Sequence, residues 1–269
     1  MRNGNASGTA DTPGTALVTG AAGGIGSAVV RTLGEQGFAV AAVDRAGAAP
    51  EELAEKARAD GLHVRAFAAD VTSEQEVEAL LDTVERELGP VRSLVNAAGV
   101  LRAGRACALT AEDWAATFAV NATGVFLVST AVVRRMLDEG RGGAVVTVAS
   151  NAAGTARTDM AAYAASKAAA TMFTKCLGLE VARQGIRCNV VAPGSTETPM
   201  LASLWHDGTG RTRTLEGMPE EYKVGIPLGR IAQPVDVADA VAFLLSDRAR
   251  HITLHALTVD GGATLGVPA

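Results

Sequence analysis

The chain has 269 residues, of which 48% are hydrophobic and 20% are charged, so it can bury the core of one large domain. Its formal net charge is −5, and its 24 lysines and arginines are scattered, which argues against nucleic acid as a partner. Its apolar runs stay under about 10 residues, roughly half of what a bilayer-spanning helix needs. We therefore expect no nucleic-acid and no membrane partner.

Residues 1–13 contain no apolar stretch and are rich in Gly, Asn, Ser and Thr, which predicts a disordered leader rather than a secretory signal. The cysteines are odd in number and lack disulfide or metal spacing, so we expect a reducing, cytoplasmic setting. The histidines also lack ligand spacing, and we expect no metal site. These residues are Cys107, Cys176, Cys188, His63, His206, His251 and His255.

In chain order, short β-branched runs alternate with longer alanine-rich segments of helical period. Strands are predicted at 15–20, 38–44, 63–70, 91–99, 143–150, 186–194 and 257–262. Helices are predicted near 24–36, 50–60, 73–88, 111–139, 160–184 and 234–246. Near-continuous apolar strands suit a parallel sheet that is buried on both faces. The alternation predicts one doubly wound, Rossmann-type α/β domain over 14–269, with a seven-stranded parallel sheet and helices on both faces.

Residues 197–226 break this alternation, because they are polar and rich in Gly and Thr. The segment is too long for a plain connection, so we expect a lid over a substrate site.

A glycine-rich turn, TGAAGGIG, joins the first predicted strand to the first helix. Gly20, Gly24 and Gly26 would let the backbone approach a pyrophosphate at the helix N-terminus. A merely tight turn is the alternative, but the strand before it and the helix after it supply the context that a dinucleotide site needs.

Two aspartates close the next two strands. Asp44 can accept hydrogen bonds from ribose hydroxyls and would repel a 2′-phosphate, which favours NAD over NADP, although the neighbouring Arg45 could accept that phosphate. Asp70 either lies beside the cofactor or makes the turn into the following helix.

Tyr163 and Lys167 stand one helical turn apart in YAASK. A lysine ammonium there would favour the phenolate of the tyrosine and make it a proton acceptor. Ser150 ends a strand, where parallel sheets present residues to ligands. Asn121 lies inside a predicted helix, a position where an amide usually has a hydrogen-bonding role.

These features together resemble the short-chain dehydrogenase/reductase family over residues 14–266. The motifs are TGAAGGIG, NAAG (96–99), AVNATG (119–124), Ser150, YAASK and PGSTET (193–198). The resemblance implies a catalytic tetrad of Asn121, Ser150, Tyr163 and Lys167, and usually a homotetramer. It also implies that the cofactor contacts Ile25, Asp70, Val71, Asn96, Pro193, Gly194, Thr196 and Thr198, besides Tyr163 and Lys167.

Further stretches, such as KVGIPLGRIAQP, resemble a branch of the family that oxidises a dihydroxy-cyclohexadiene carboxylate with NAD and yields a catechol acid. The resemblance implies that Ser150 and Met200 contact this substrate. Arg102 and Arg157 follow strands at the carboxyl edge of the sheet, where an arginine fork would match a carboxylate. Three alternatives stay open: a 2-amino analogue as substrate, a generic alcohol dehydrogenase or ketoreductase, and a non-catalytic NAD-binding regulator.

Overall fold

The computed structural model describes residues 14–45, 47–205 and 208–267. The predicted leader and His206 lie outside the described residues. His63, His251 and His255 are exposed, and the three cysteines are free thiols.

The described strands follow the predicted order. They are β1 (Thr15–Thr19), β2 (Ala39–Asp44), β3 (Val64–Ala68), β4 (Val91–Asn96), β5 (Gly143–Val148), β6 (Ile186–Pro193), β7 (Gly217–Met218), β8 (Lys223–Val224) and β9 (Ala256–Val259). Seven of them form a parallel sheet in the order β3-β2-β1-β4-β5-β6-β9. The strand order reverses between β1 and β4, which opens a ligand crevice at their carboxyl ends. The predicted fold class is confirmed.

Helices cover both faces of the sheet. They are α1 (Gly24–Glu35), α2 (Ala48–Ala59), α3 (Glu74–Leu88), α4 (Ala111–Phe118), α5 (Val125–Asp138), α6 (Ala161–Val181), α7 (Pro199–Ala202), α8 (Gly210–Glu216) and α9 (Pro234–Leu245). The single helix predicted over 111–139 is interrupted by a π-helical turn, Ala119–Gly124, between α4 and α5. Turns of this kind are frequent at functional sites, and this one carries Asn121.

Two apolar cores lie on opposite faces of the sheet. Val18 packs in the core with residues of α1 and α9, whereas its neighbour Leu17 packs in the other with residues of α3 and α5. Successive strand side chains point to opposite faces, and both of these are fully buried. Burial on both faces explains why the strands read as unbroken apolar runs.

The segment Ala111–Asp138 is long and apolar enough to cross a membrane, with a mean hydropathy of 1.7 in its most apolar window. Half of that window is buried inside the domain, where it forms part of the second core. Core helices share this length and composition, so the expectation that the chain has no membrane partner stays a prediction.

The segment 197–226, which we call the insertion, has regular structure of its own. It contains α7, α8 and an antiparallel hairpin of β7 and β8. Ile226 of the insertion is buried in a small apolar cluster with Ile231, and Leu201 and Trp205 pack against that cluster. These contacts hold the insertion against the carboxyl edge of the sheet.

Candidate active site

The glycine turn after β1 is built for close backbone approach. Gly20 has a φ of 68°, and a Cβ there would come within 2.6 Å of the Ala98 backbone. A Cβ on Gly26 would collide with the carbonyl oxygen of Gly20, and one on Gly24 would lie 2.6 Å from Thr198 Cγ2. A side chain at Gly20 or Gly26 would meet backbone atoms and one at Gly24 would displace Thr198, while the contact of the three residues with a pyrophosphate stays a prediction.

This turn forms one end of a groove that suits a dinucleotide. Gly23 precedes α1 and gives its first turn no side-chain cap, so the helix N–H groups can face a phosphate. Ile25, Asp44, Asp70, Val71 and Thr198 line the same groove, in agreement with their predicted positions.

Both predicted aspartates are held by nearby groups. Asp44 Oδ2 accepts a hydrogen bond of 2.9 Å from the Ala22 amide in the glycine turn. Asp70 Oδ1 accepts bonds from the amide and hydroxyl of Thr72, at 2.9 and 2.7 Å. These bonds hold the pKa of Asp70 below its ordinary value. Asp70 therefore makes the turn after β3 and also lines the groove, which unites the two roles considered for it.

The structure corrects the prediction for Asn96. Its side chain is buried and donates to Ser129 Oγ at 2.8 Å and to Thr147 Oγ1 at 3.4 Å. It thus ties β4 to α5 and β5, while residues 97–100 after it line the groove. The motif identified the correct loop, but the pleat of the strand turns this side chain away from the groove.

Asn121 connects three segments from inside the π-helical turn. Its Oδ1 accepts the Val100 amide at 2.8 Å, and its Nδ2 donates to the Val100 carbonyl at 2.9 Å and to Ser166 Oγ at 3.0 Å. The side chain is fully buried. The predicted hydrogen-bonding role is present, and its partners lie in the loop after β4 and in α6.

Ser150 and Tyr163 line one cavity at the carboxyl end of β5. Ser150 follows that strand and accepts the Ala152 amide at 3.1 Å, which fixes its hydroxyl. Burial raises the pKa of the Tyr163 phenol, and a hydrogen bond with Ser150 acts in the opposite direction.

Lys167 is buried one turn after Tyr163. Its Nζ donates to the Val148 carbonyl at 2.9 Å and lies 5.8 Å from the centroid of the Tyr163 ring. Lys167 Nζ and Asn121 Oδ1 both lie beside Gly99, because a Cβ on that glycine would be 3.3 Å from the first atom and 3.5 Å from the second. Together with Ser150 and Tyr163, which share a cavity, they form one group of four predicted catalytic residues. Burial lowers the pKa of Lys167 to about 8.

The sequence predicts that the Lys167 ammonium favours the Tyr163 phenolate, and burial acts against this by raising the pKa of Tyr163. The same burial disfavours the ammonium form of Lys167. Each charge alone is costly in this environment.

The cavity beside Ser150 and Tyr163 has a volume of about 150 Å³. Its wall includes Pro193, Gly194 and Thr196, which were predicted to contact the cofactor but line this cavity rather than the groove at the glycine turn. It shares Ile25, Thr198 and Met200 with the dinucleotide groove. The two ligand sites are therefore neighbours with a common wall.

Only one of the two predicted substrate arginines lines the cavity. Arg157 lies on its wall and is half-buried, and this burial lowers the pKa of its guanidinium. Arg102 is exposed and pairs with Asp113 at 2.7 Å, so the structure does not bring it to the site. Its neighbour Leu101 faces the cavity instead.

The second cation on the wall is Lys223 of β8, which the sequence did not indicate. It is half-buried, and burial and the charge of Arg157 lower the pKa of its ammonium. A polar insertion without regular periodicity gives no signal for which side chain turns inward. Among the described residues no cluster of metal-ligating side chains is found.

Comparison with known proteins places the chain among related sequences. The family model for short chain dehydrogenases matches residues 14–208. The 2,3-dihydro-2,3-dihydroxybenzoate dehydrogenase of Bacillus subtilis (strain 168) is 55% identical over 94% of this chain and 96% of its own. The protein of that name from Escherichia coli (strain K12) is 43% identical over 93% and 96%. A crystal structure of a variant actinorhodin polyketide ketoreductase with NADPH matches with a TM-score of 0.86 at 37% identity, covering 93% of this chain and 97% of the other.

The buried ammonium predicts a pH-dependent stability difference for Lys167→Met. Its pKa is about 8 in the folded chain against an ordinary 10.5, so between these values the unfolded chain binds more protons and wild-type stability rises with pH. At pH 7 the methionine variant avoids the cost of burying the ammonium, which is about 1.4 kcal/mol for each unit by which the pKa is lowered. It loses the hydrogen bond to the Val148 carbonyl, which offsets about 1 kcal/mol of that gain.

We expect Lys167→Met to be more stable than wild type by about 2 kcal/mol at pH 7 in urea unfolding, with a smaller gap at pH 9. The exposed Lys56→Met is the matched control, and its gap should not change with pH. A gap for Lys167→Met that is equal at both pH values would contradict the assigned pKa.

Proposed function

The chain belongs to the short-chain dehydrogenase family and binds a nicotinamide dinucleotide, and on that premise we propose that it oxidises 2,3-dihydro-2,3-dihydroxybenzoate to 2,3-dihydroxybenzoate. The similarity to the two named dehydrogenases supports this substrate. The observation that carries the proposal is that Tyr163 and Ser150 share one small cavity with two half-buried cations, Arg157 and Lys223. Such a cavity suits a ring that bears both an alcohol and a carboxylate.

In this proposal Tyr163 takes the proton from the ring C3 hydroxyl. Ser150 steadies the reacting oxygen, since its own hydroxyl is fixed by the Ala152 amide. NAD held in the groove beside Gly20, Gly24 and Asp44 would supply the acceptor for the hydride of C3. The resulting ketone tautomerises to a catechol, so aromatisation makes the reaction favourable after the redox step.

Lys167 makes the phenolate possible although each charge alone is disfavoured. With Lys167 as the ammonium, loss of the Tyr163 proton leaves a phenolate–ammonium pair that carries no net charge, so burial opposes this pair less than a lone phenolate. The Val148 carbonyl stabilises the ammonium form. Tyr163 and Lys167 thus act as one titrating unit.

We also propose NAD rather than NADP. The carboxylate of Asp44 faces the groove with one oxygen held by the Ala22 amide, and a 2′-phosphate beside it would meet a like charge. Arg45 lines the same groove and could accept a 2′-phosphate, so it limits the preference for NAD over NADP.

Measurement of turnover also distinguishes two rival activities from the proposed one. The 2-amino analogue, dihydro-3-hydroxyanthranilate, carries the same carboxylate and would undergo the same oxidation. The ketoreductase with similar structure supports a generic reductase, but a neutral ketone gives no use to Arg157 and Lys223. A non-catalytic regulator has no need for the buried tetrad.

The decisive experiment is turnover. Mixed with NAD, the protein should form NADH and a catechol acid from 2,3-dihydro-2,3-dihydroxybenzoate faster than it forms NADH from dihydro-3-hydroxyanthranilate. Tyr163→Phe should lower kcat by about 10²–10⁴-fold, because it removes the proton acceptor, and it should leave NAD affinity unchanged. Substantial activity in Tyr163→Phe, or a preference for the amino analogue, would sink the assignment.

Cofactor preference gives a separate test of Asp44. Asp44→Ala removes the charge that repels a 2′-phosphate, so the ratio of kcat/KM for NAD over NADP should fall by at least about 10-fold, the scale of one charged contact. Asp60→Ala, at an exposed aspartate that ends α2 outside the groove, is the control. An unchanged ratio in Asp44→Ala would move cofactor selection to another residue.

We propose that the chain forms a homotetramer. Two separate apolar faces support this: Phe126, Met172 and Leu179 are exposed on α5 and α6, and Leu228 and Leu265 are exposed near the C-terminus. Two self-complementary faces generate a closed dihedral tetramer. Light scattering should give four times the chain mass of 27.3 kDa.

Leu179→Arg, on the α5–α6 face, should lower this mass to that of a dimer or monomer. Glu55→Arg, on the exposed side of α2, should not. A wild-type monomer would refute the assembly.

A further inference from the structure

We propose that Arg157 and Lys223 together bind the carboxylate of the substrate, which makes Lys223 of the insertion a specificity-determining residue. This inference deepens the proposed function and rests on it for the identity of the substrate. It assigns a task to a residue of the insertion, which the sequence predicted only as a lid over a substrate site.

Arg157 and Lys223 come from different parts of the chain but line the same cavity. Arg157 lies in the loop after β5 and Lys223 lies in β8, and the cavity is the one that Ser150 and Tyr163 line. They are the only charged residues on the wall of that cavity in the part of the chain that the structure describes. A ligand that contacts Tyr163 therefore has two cations within the same small volume.

The positive charges of Arg157 and Lys223 have no directly bonded counter-charge among the described residues. Within residues 14–45, 47–205 and 208–267, no ion pair joins Arg157 or Lys223 to an acid. The two cations repel each other, and the charge of Arg157 contributes to the lowered pKa of Lys223 after burial. Two half-buried like charges need an anion to offset their desolvation.

Two nearby acids, Asp260 and Glu221, are engaged by other groups. Asp260 accepts hydrogen bonds from Asn151, Thr264 and the Gly262 amide, at 3.3, 2.7 and 2.9 Å. Glu221 accepts from Thr158 at 3.2 Å and pairs with Arg213 at 3.4 Å. Asp260 attracts Arg157 and Glu221 attracts Lys223, in each case without an ion pair. A ligand anion inside the cavity can therefore complete the pair.

A carboxylate matches this need in charge and in shape. It has two oxygens, so it can accept from a guanidinium fork and from an ammonium at the same time. A neutral ester or amide at the same ring carbon would leave both cations uncompensated. The site therefore selects the free acid, and any reaction that activates the carboxyl group must follow this oxidation.

The test measures the preference for acid over amide in one sample. Calorimetry with the NAD-saturated protein gives the Kd of 2,3-dihydroxybenzoate and of its neutral match, 2,3-dihydroxybenzamide. Wild type should bind the acid at least about 10-fold more tightly, the scale of one charge-assisted contact. Lys223→Met and Arg157→Met should each lower this preference by about 10-fold, while Lys223→Arg should retain most of it.

The ratio of the two Kd values does not depend on the fraction of folded protein, so partial unfolding of a variant does not mimic the effect. Arg102→Met is the matched control, because Arg102 is a nearby arginine that pairs with Asp113 outside the cavity. It should keep the wild-type preference.

Three outcomes overturn the inference. They are no preference in wild type, a preference that Lys223→Met leaves intact, and an equal loss in Arg102→Met. Failure of the proposed function looks different. If 2,3-dihydro-2,3-dihydroxybenzoate is not turned over but the acid preference still depends on Arg157 and Lys223, the carboxylate site stands and the substrate assignment falls.

Discussion

The buried amide of Asn121 is the interaction on which the site geometry depends. It binds both backbone groups of Val100 and the hydroxyl of Ser166, and Ser166 in turn donates to the Tyr163 carbonyl at 2.8 Å. The loop after β4 thereby takes its position relative to the start of α6. A regular helix through 119–124 would rotate this amide away from its partners, which explains the π-helical turn. The fully buried position makes each of these hydrogen bonds expensive to lose.

The site buries two pairs of ionisable groups, and the charges within each pair are balanced differently. Tyr163 and Lys167 lie together, so a phenolate and an ammonium there carry no net charge as a pair, and the Val148 carbonyl supports the ammonium. Arg157 and Lys223 both carry positive charge, and no ion pair among the described residues offsets it. The first pair is suited to moving a proton and the second to holding an anion. The protein thus separates reaction from recognition within one cavity of about 150 Å³.

The sequence predicted the sheet, because seven apolar runs can be buried on both faces in few other ways. It also predicted residues whose position follows from strand ends or tight turns, such as Gly20, Asp44 and Ser150. It was wrong where a side chain has two directions to choose from: Asn96 turns to Ser129 of α5 and Arg102 turns to Asp113. Lys223 was missed because its direction is set by the hairpin and by the apolar cluster beneath it, which are tertiary contacts with no local pattern.

The wall shared by the two ligand sites has a thermodynamic consequence. Thr198 begins α7 by accepting the Leu201 amide at 3.2 Å, and it also packs against Gly24 at the dinucleotide turn. Met200, one residue into the same short helix, lines both sites. A position of α7 that one ligand favours is presented to the other ligand as well. Linkage then requires that the dinucleotide change the affinity for the acid by the same factor by which the acid changes the affinity for the dinucleotide.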